Sequence, residues 1–262
     1  MKQGRAGGTA TVLFTDLVGA TELMTRVGDL AYDELRREHF ERLRKAVLAH
    51  DGEDVKYTGD GLLEQGRLGE LRQTWIDIAA RSAHPLTRGI LAVIHAELDE
   101  PAEAARIYED FVATEFRNVP VDTFWMFTIP QLAAVASYLS DRHGAEVLHG
   151  MLAPYGERIG GVSTIWIGSL SHYLGLLDTT LGRHDEAETH FATAEATHAR
   201  VGAAAWLART RLELARMLLT RNASGDAGRA RGLLDQALAS ATELGLGTVS
   251  RRSKALLEQV AS

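Results

Sequence analysis

The sequence predicts a mainly α-helical protein: an α-solenoid of helical pairs at residues 64–262, preceded by a short α/β segment at residues 1–63. Three observations predict this fold class. An apolar, β-branched run near the N-terminus is typical of a buried strand. After residue 63, apolar residues recur at helical spacing without further strand-like alternation. Within that region, one pattern of small and apolar residues returns about every forty residues, which is typical of stacked helical pairs.

The N-terminal segment begins with a strand predicted for Ala10 to Leu17. Val18 to Thr21 predict a tight turn, and apolar residues at helical spacing predict helices between residues 22 and 50. Thr58 to Gly61 then predict a turn between two short strands. The order strand, helix, hairpin gives this segment its α/β character.

The repeat consists of a small residue, a larger residue four positions later and an apolar or small residue three beyond that. Its copies are Ala104/Tyr108/Phe111, Ala145/His149/Leu152, Ala187/Phe191/Ala194 and Ala230/Leu234/Ala237. Their first residues lie 41, 42 and 43 positions apart. His149 departs from the pattern, because it occupies a position where an aromatic residue is expected.

One copy resembles the tetratricopeptide repeat (TPR) family. Gly175 precedes Ala187 by twelve residues and Phe191 follows it by four, which is similar to the small residues and the aromatic residue where TPR helices cross. The period exceeds the usual 34 residues, so TPR-like pairs are expected. The resemblance implies a helical-repeat surface that binds a protein or peptide partner.

Composition and charge exclude several function classes. The 262 residues include no cysteine, which excludes disulfides, zinc–thiolate sites, iron–sulfur clusters and thiol catalysis. A net charge of −7 argues against binding to nucleic acid or to an anionic membrane. No apolar run is long enough to cross a membrane, and the expected location is cytoplasmic.

Two aspartates of the N-terminal segment stand in motifs 44 residues apart. Asp16 lies in the stretch Phe14 to Thr21, and Asp60 lies in the stretch Lys56 to Gly61. Together these motifs resemble the start of a class III adenylate/guanylate cyclase catalytic domain. The resemblance implies ATP or GTP as ligand and two Mg²⁺ or Mn²⁺ ions, since phosphoryl transfer uses divalent ions held by oxygen ligands.

The resemblance also implies a role for each residue of this site. The residues are Asp16, Leu17 (through its carbonyl) and Asp60 for the metal ions, Val18, Gly19, Ala20 and Thr21 for the triphosphate, and Lys56 for the purine. Backbone N–H groups at a helix start suit a triphosphate. A helix cap at Asp16 and a turn at Asp60 explain each aspartate separately, but not their joint spacing.

The cyclase resemblance ends near residue 63. Cyclases carry an asparagine and an arginine in later elements, but Asn118 with Arg117 and Asn222 with Arg221 stand in helical sequence, and both arginines are expected at the surface. Because such charge stabilisation is worth ~3 kcal/mol or more per donor, catalysis by the isolated chain is not expected. From residue 64 onward, the sequence resembles the C-terminal repeats of bacterial cyclase/ATPase/TPR regulators, without the ATPase phosphate loop.

Three functions are consistent with these motifs. The first is a cyclic-nucleotide signalling protein that keeps a metal and nucleotide half-site beside a protein-interaction domain. The second is an adenylate cyclase, converting ATP to cyclic AMP, that a partner chain completes, since cyclases of this family build their sites across a dimer. The third is a TPR-like interaction module that carries an inert cyclase relic.

Three further groups of residues have structural explanations. His184, His190 and His198 lie at spacings of six and eight, which do not build a compact metal site, so a solvated helix face is expected. An aromatic group is expected to pack between repeat helices, with a groove for a partner as the alternative; it consists of Phe124, Trp125 and Phe127. The pair Gly160-Gly161 predicts a loop between helices.

Overall fold

A computed structural model describes residues 68–82, 84–162 and 165–261, together with Arg42 and Lys45, which are helical. The chain divides into two units, Met1–Lys56 and Tyr57–Ser262. All helices with described bounds belong to the second unit. The described part of the chain is mainly α-helical, as predicted. None of its helices combines the length and the apolar composition that crossing a membrane requires.

The described part of the second unit contains ten α-helices and one β-hairpin. The helices are α1 (Leu68–Arg81), α2 (Pro85–Glu97), α3 (Pro101–Val112), α4 (Trp125–Tyr138), α5 (Arg142–Leu152), α6 (Leu170–Leu181), α7 (His184–Arg200), α8 (Ala204–Arg221), α9 (Asp226–Leu244) and α10 (Gly247–Ala261). The hairpin lies between α5 and α6 and consists of β1 (Ile159–Val162) and β2 (Ile165–Ser169).

Helices α2 to α9 pack as four successive pairs. Close contacts join α2 with α3, α4 with α5, α6 with α7 and α8 with α9, and α10 packs against α9 and α8. The first helices of successive pairs, α2, α4, α6 and α8, also contact one another in that order. These contacts bury one continuous apolar core, which runs through all the pairs.

The recurring sequence pattern falls on the second helix of each pair. Its four copies lie on α3, α5, α7 and α9. Eleven of the twelve positions are buried, and the exception is His149. The alanines that begin the copies have no exposed surface; they are Ala104, Ala145, Ala187 and Ala230. The pattern therefore marks the packing face of these helices.

Helices α6 and α7 meet at Gly175. A Cβ atom at this position would lie 2.8 Å from two ring atoms of Phe191. Because Phe191 is fully buried, its ring has little room to move away. The small residue and the aromatic residue that the sequence predicted at a helix crossing are thus in direct contact.

The start of α5 is fixed by a side-chain cap that also connects two pairs. The Asp141 carboxylate accepts hydrogen bonds from the backbone N–H groups of His143 and Gly144, which would otherwise have no partner in the helix. Tyr108 of α3 donates a hydrogen bond of 3.1 Å to the same carboxylate. Asp141 therefore holds the second pair against the first.

The β-hairpin was not predicted, because the sequence indicated no strand after Gly66 and a loop at Gly160-Gly161. In the structure β1 and β2 are antiparallel, and Gly161 pairs with Trp166. Gly161 has a φ of +150°, and a Cβ there would lie 2.3 Å from the carbonyl oxygen of Ile165. Two adjacent glycines give β1 no alternation of side chains, and this alternation is the signal that predicts a strand.

The aromatic group at the start of α4 packs largely as expected. Trp125 and Phe127 are buried in the core, whereas Phe124 remains 38% exposed. Trp125 contacts the ring of Tyr155 edge to face, with centroids 5.6 Å apart. Two of the three aromatic residues therefore contribute to the core between the helices.

Candidate functional site

The residues predicted to bind metal ions and nucleotide lie outside the described residues. They are Asp16, Leu17, Val18, Gly19, Ala20, Thr21, Lys56 and Asp60. Their roles stay predictions, and so does the domain boundary between residues 63 and 64. Two other candidate sites have described geometry: a cleft on one face of the helical pairs and a cluster of two histidines with an aspartate.

The cleft has a volume of about 310 Å³ and is lined by α2, α4, α6, α8 and α10. Each pair thus contributes its first helix. Much of the lining is apolar, including Val93, Val135, Leu176, Leu212 and Leu256. A concave, mainly apolar surface with a few polar groups is the usual form of a binding site in proteins.

Glu97 of α2 forms the centre of a charged group in the cleft. Its Oε1 lies 2.7 Å from Nη2 of Arg209 of α8, and each of the two side chains is 12% exposed. Arg252 of α10 lies 3.5 Å from the other carboxylate oxygen and 3.9 Å from Asp99. A carboxylate buried to this extent needs paired cations. Glu97 therefore joins α2, α8 and α10 across the cleft.

Arg216 is the more accessible arginine of the cleft. Its side chain is 42% exposed and lies 2.7 Å from Glu213, which is only 12% exposed; it also donates to the Ser137 hydroxyl at 3.5 Å. Arg252 is 29% exposed, and Asp99, at 64%, is the accessible carboxylate. Because Glu97 and Glu213 are mostly buried, the accessible charge of the cleft comes from two arginines and one aspartate.

Trp206 provides an aromatic surface in the cleft. Its ring centroid lies 5.7 Å from that of His172, and the Arg209 guanidinium lies 5.7 Å above the ring, as in a cation–π contact. The indole Nε1 is buried and has no hydrogen-bond partner among the described residues.

A buried chain of hydrogen bonds runs beside the cleft. The backbone N–H of Ser169 donates to His198 Nε2 at 2.8 Å, so Nδ1 of this ring carries the proton and donates to Thr210 Oγ1 at 3.1 Å. The Thr210 hydroxyl then donates to His172 Nδ1 at 3.0 Å. Burial lowers the pKa of His198 to about 4. Burial and nearby positive charges hold the pKa of His172 well below its usual range, so both rings are neutral at pH 7.

The second candidate site lies where α5, α6 and α7 meet. Asp178 of α6 has no exposed side-chain surface, and its two oxygens face two imidazoles: His149 Nε2 lies 3.1 Å from Oδ1, and His190 Nδ1 lies 2.7 Å from Oδ2. The two imidazole side chains are 22% and 30% exposed. One ligand atom from each residue lies within 4.8 Å of the others. The arrangement can hold a metal ion.

The histidines that the sequence singled out do not act as one group. His198 is buried in the hydrogen-bonded chain rather than solvated, so that expectation was wrong, because Thr210 and Ser169 satisfy both ring nitrogens. His190 instead joins His149 and Asp178 from other helices. The sequence contained two signals of this cluster. His149 stands where the repeat has an aromatic residue, and Asp178 directly follows two leucines.

The two arginines expected at the surface differ in their surroundings. Arg117 is 75% exposed and pairs with Glu115, as expected. Arg221 is only 18% exposed, because three carboxylates surround its guanidinium: those of Asp226, Glu188 and Asp185. The expectation was therefore wrong for Arg221, which is a packing residue between helices.

Comparisons of the chain with protein-family models, with curated proteins and with solved structures gave no match.

Proposed function

We propose that residues 64–262 form an α-solenoid of TPR-like helical pairs, and that its cleft binds an extended segment of a partner protein. The observation that carries this proposal is the cleft of about 310 Å³, to which the first helix of every pair contributes. A surface built in this way, from equivalent helices of successive pairs, is how helical-repeat proteins bind partners.

The chemistry of the lining favours a segment with apolar side chains and a carboxylate. The leucines and valines of α2, α4, α6, α8 and α10 offer apolar contacts. The side chains of Arg216 and Arg252 are 42% and 29% exposed. The guanidinium group of an arginine binds a carboxylate through paired hydrogen bonds.

The cleft proposal is tested by selecting peptides from a random display library against the purified chain. Selected peptides should combine apolar residues with Asp or Glu. Arg216→Glu should weaken their binding about tenfold or more, because it replaces an attraction by a repulsion. Arg231→Glu is the matched control, since Arg231 is exposed on α9 and does not line the cleft. Equal binding by the two variants would contradict the proposal.

We also propose that the N-terminal segment gives the protein a role in cyclic-nucleotide signalling. The support is the joint spacing of Asp16, Lys56 and Asp60, which resembles that of class III cyclases. In this proposal the segment binds ATP or GTP with Mg²⁺ or Mn²⁺ and does not complete catalysis alone. The helical-repeat unit then connects the segment to a partner.

The signalling proposal is tested by measuring ATP binding and cyclic AMP formation by the full chain in Mn²⁺. We expect metal-dependent binding that Asp16→Ala and Asp60→Ala each abolish, and no cyclic AMP. Aspartate-dependent cyclic AMP would instead favour an active cyclase. If neither binding nor product were found, the segment would be an inert relic and the signalling proposal would be wrong, whereas the cleft proposal would be unaffected.

A further inference from the structure

We propose that His149, Asp178 and His190 form a binding site for a divalent transition-metal ion, and that the ion fastens α5, α6 and α7 to one another. None of the three residues lines the cleft, so this site is independent of the proposed partner binding. It also shares no residue with the Mg²⁺ or Mn²⁺ site predicted at Asp16 and Asp60.

The state of the Asp178 carboxylate is the first argument. The side chain has no exposed surface, and a buried carboxylate is costly unless cations or donors satisfy both oxygens. Oδ2 accepts a hydrogen bond from His190 Nδ1. Oδ1 has no hydrogen-bond partner among the described residues, although His149 Nε2 lies 3.1 Å away. This nitrogen is close enough to share a metal ion with Oδ1 but is not aligned for a hydrogen bond.

The positions of the donor atoms are the second argument. The three ligand atoms lie within 4.8 Å of one another, and ligands at ~2.1 Å from a tetrahedral ion are ~3.4 Å apart. The rings of His149 and His190 have centroids 6.3 Å apart and are partly exposed. Small rotations of these two rings, which face solvent on one side, bring both nitrogens into range of an ion bound to the fixed carboxylate.

The donor set decides the class of ion. Two imidazoles and one carboxylate suit Zn²⁺ and related first-row ions, whereas Mg²⁺ and Ca²⁺ prefer sites made of oxygen ligands. Because the two imidazoles are partly exposed, the remaining coordination position is available to water. Three protein ligands and a water molecule form a common zinc coordination.

An ion here would hold successive pairs together. His149 lies on the second helix of the second pair, and Asp178 and His190 lie on the two helices of the third pair. At the position of His149, the other copies of the repeat have tyrosine, phenylalanine or leucine, and all three are buried. Where the other copies bury a large side chain, the metal site would therefore place coordination bonds that join the second pair to the third.

The test is a calorimetric titration of the untagged full chain with Zn²⁺, after removal of metal ions by a chelator. We expect binding of one Zn²⁺ per chain that excess Mg²⁺ does not displace. His149→Gln and His190→Gln should each weaken binding about tenfold or more, and so should Asp178→Asn. His143→Gln is the matched control, since His143 is exposed on the same helix as His149 and should leave affinity unchanged.

Thermal unfolding provides the second readout. An ion that binds only the folded chain stabilises it, so Zn²⁺ at 100-fold excess over its dissociation constant should raise the Tm on the order of 5 to 10 °C. The increase should be lost in His149→Gln and His190→Gln. Both histidine side chains are partly exposed, so we expect these two variants to fold. The proposal is overturned if the unaltered chain binds no Zn²⁺, or if these two variants bind it as tightly as the His143→Gln control.

Discussion

Single residues decide where the helices of this protein approach one another. Gly175 and Phe191 show this most directly, because no side chain fits between the α6 backbone and the aromatic ring. Gly232 of α9 is the opposite case, since a Cβ there would meet no atom within 4 Å. The two glycines therefore respond in opposite directions to the same substitution.

Gly175→Ala should destabilise the protein by up to ~2 kcal/mol, because overpacking costs ~1–3 kcal/mol and the helix propensity of alanine returns ~1 kcal/mol. Gly232→Ala should stabilise it by up to ~1 kcal/mol through propensity alone. Urea unfolding of both variants gives the two values. A stabilising Gly175→Ala substitution would show that α6 and α7 are not in close contact there.

The buried chain around His198 predicts a dependence of stability on pH. The pKa of His198 is about 4 in the folded chain, whereas a histidine in an unfolded chain has a pKa near 6.5. Between pH 6.5 and pH 4 this histidine is protonated in the unfolded chain but neutral in the folded chain. The free energy of unfolding should therefore decrease as the pH falls from about 6.5 to about 4, and His198 should account for about 3 kcal/mol of this decrease. Above pH 6.5 the group contributes no pH dependence.

Urea unfolding at a series of pH values measures this effect. His198→Gln should reduce the loss of stability between pH 6.5 and pH 4, because the substituted side chain does not titrate. His143→Gln should not change it, since His143 is exposed on α5. An unchanged pH profile in His198→Gln would rule out His198 as the responsible group.

The sequence was sufficient to predict packing residues that stand at the spacing of the repeat. These are the four buried alanines that begin its copies, and the contact of Gly175 with Phe191. The cluster of His149, Asp178 and His190 is not among them, since its members come from three helices and only packing brings them together. The same holds for the hydrogen bond that links His198 to Thr210 across two helices.

At the scale of elements, the helices were predictable and the hairpin was not. Helical periodicity extends over long stretches, but β1 contains only four residues, two of them glycines. The helix ends also depend on residues beyond their own sequence. The C-terminus of α8 is one example, because Arg221 pairs with Asp226 through two hydrogen bonds of 2.9 and 2.8 Å and with Glu188 at 2.8 Å.

Arg221→Gln should therefore lower the Tm more than Arg231→Gln does, because it leaves the carboxylate of Asp226, whose side chain is 3% exposed, without its main cation. The Arg221 guanidinium is the chief reason that the pKa of Asp226 is lowered to about 2. Adding Asp226→Asn to Arg221→Gln should restore part of the Tm, since the unpaired charge is removed. Strictly additive losses in the double variant would contradict the pairing.

At the scale of the whole molecule, the sequence indicated helical pairs but not the cleft. Periodicity shows that a helix has an apolar face, yet it does not show which faces enclose a volume. The charged residues of the cleft come from α2 and the loop that follows it, from α8 and from α10, which are far apart in the chain. Charged residues separated in this way have no sequence signal that connects them. The predicted nucleotide site differs in this respect, because its motifs are local and ordered along the chain.

The ion pair of Glu97 with Arg209 also predicts how the helical unit opens. In a stack whose repeats touch only their neighbours, the terminal repeats open independently of the centre. Here a largely buried ion pair joins residues 112 positions apart and links the first pair directly to the fourth. The amide hydrogens of α2 should therefore exchange as slowly as those of α8, and Arg209→Gln should accelerate exchange in α2. Fast exchange of α2 in the unaltered chain would contradict this coupling. Slow exchange would mean that the four helical pairs, although they follow one another along the chain, open in a single cooperative step.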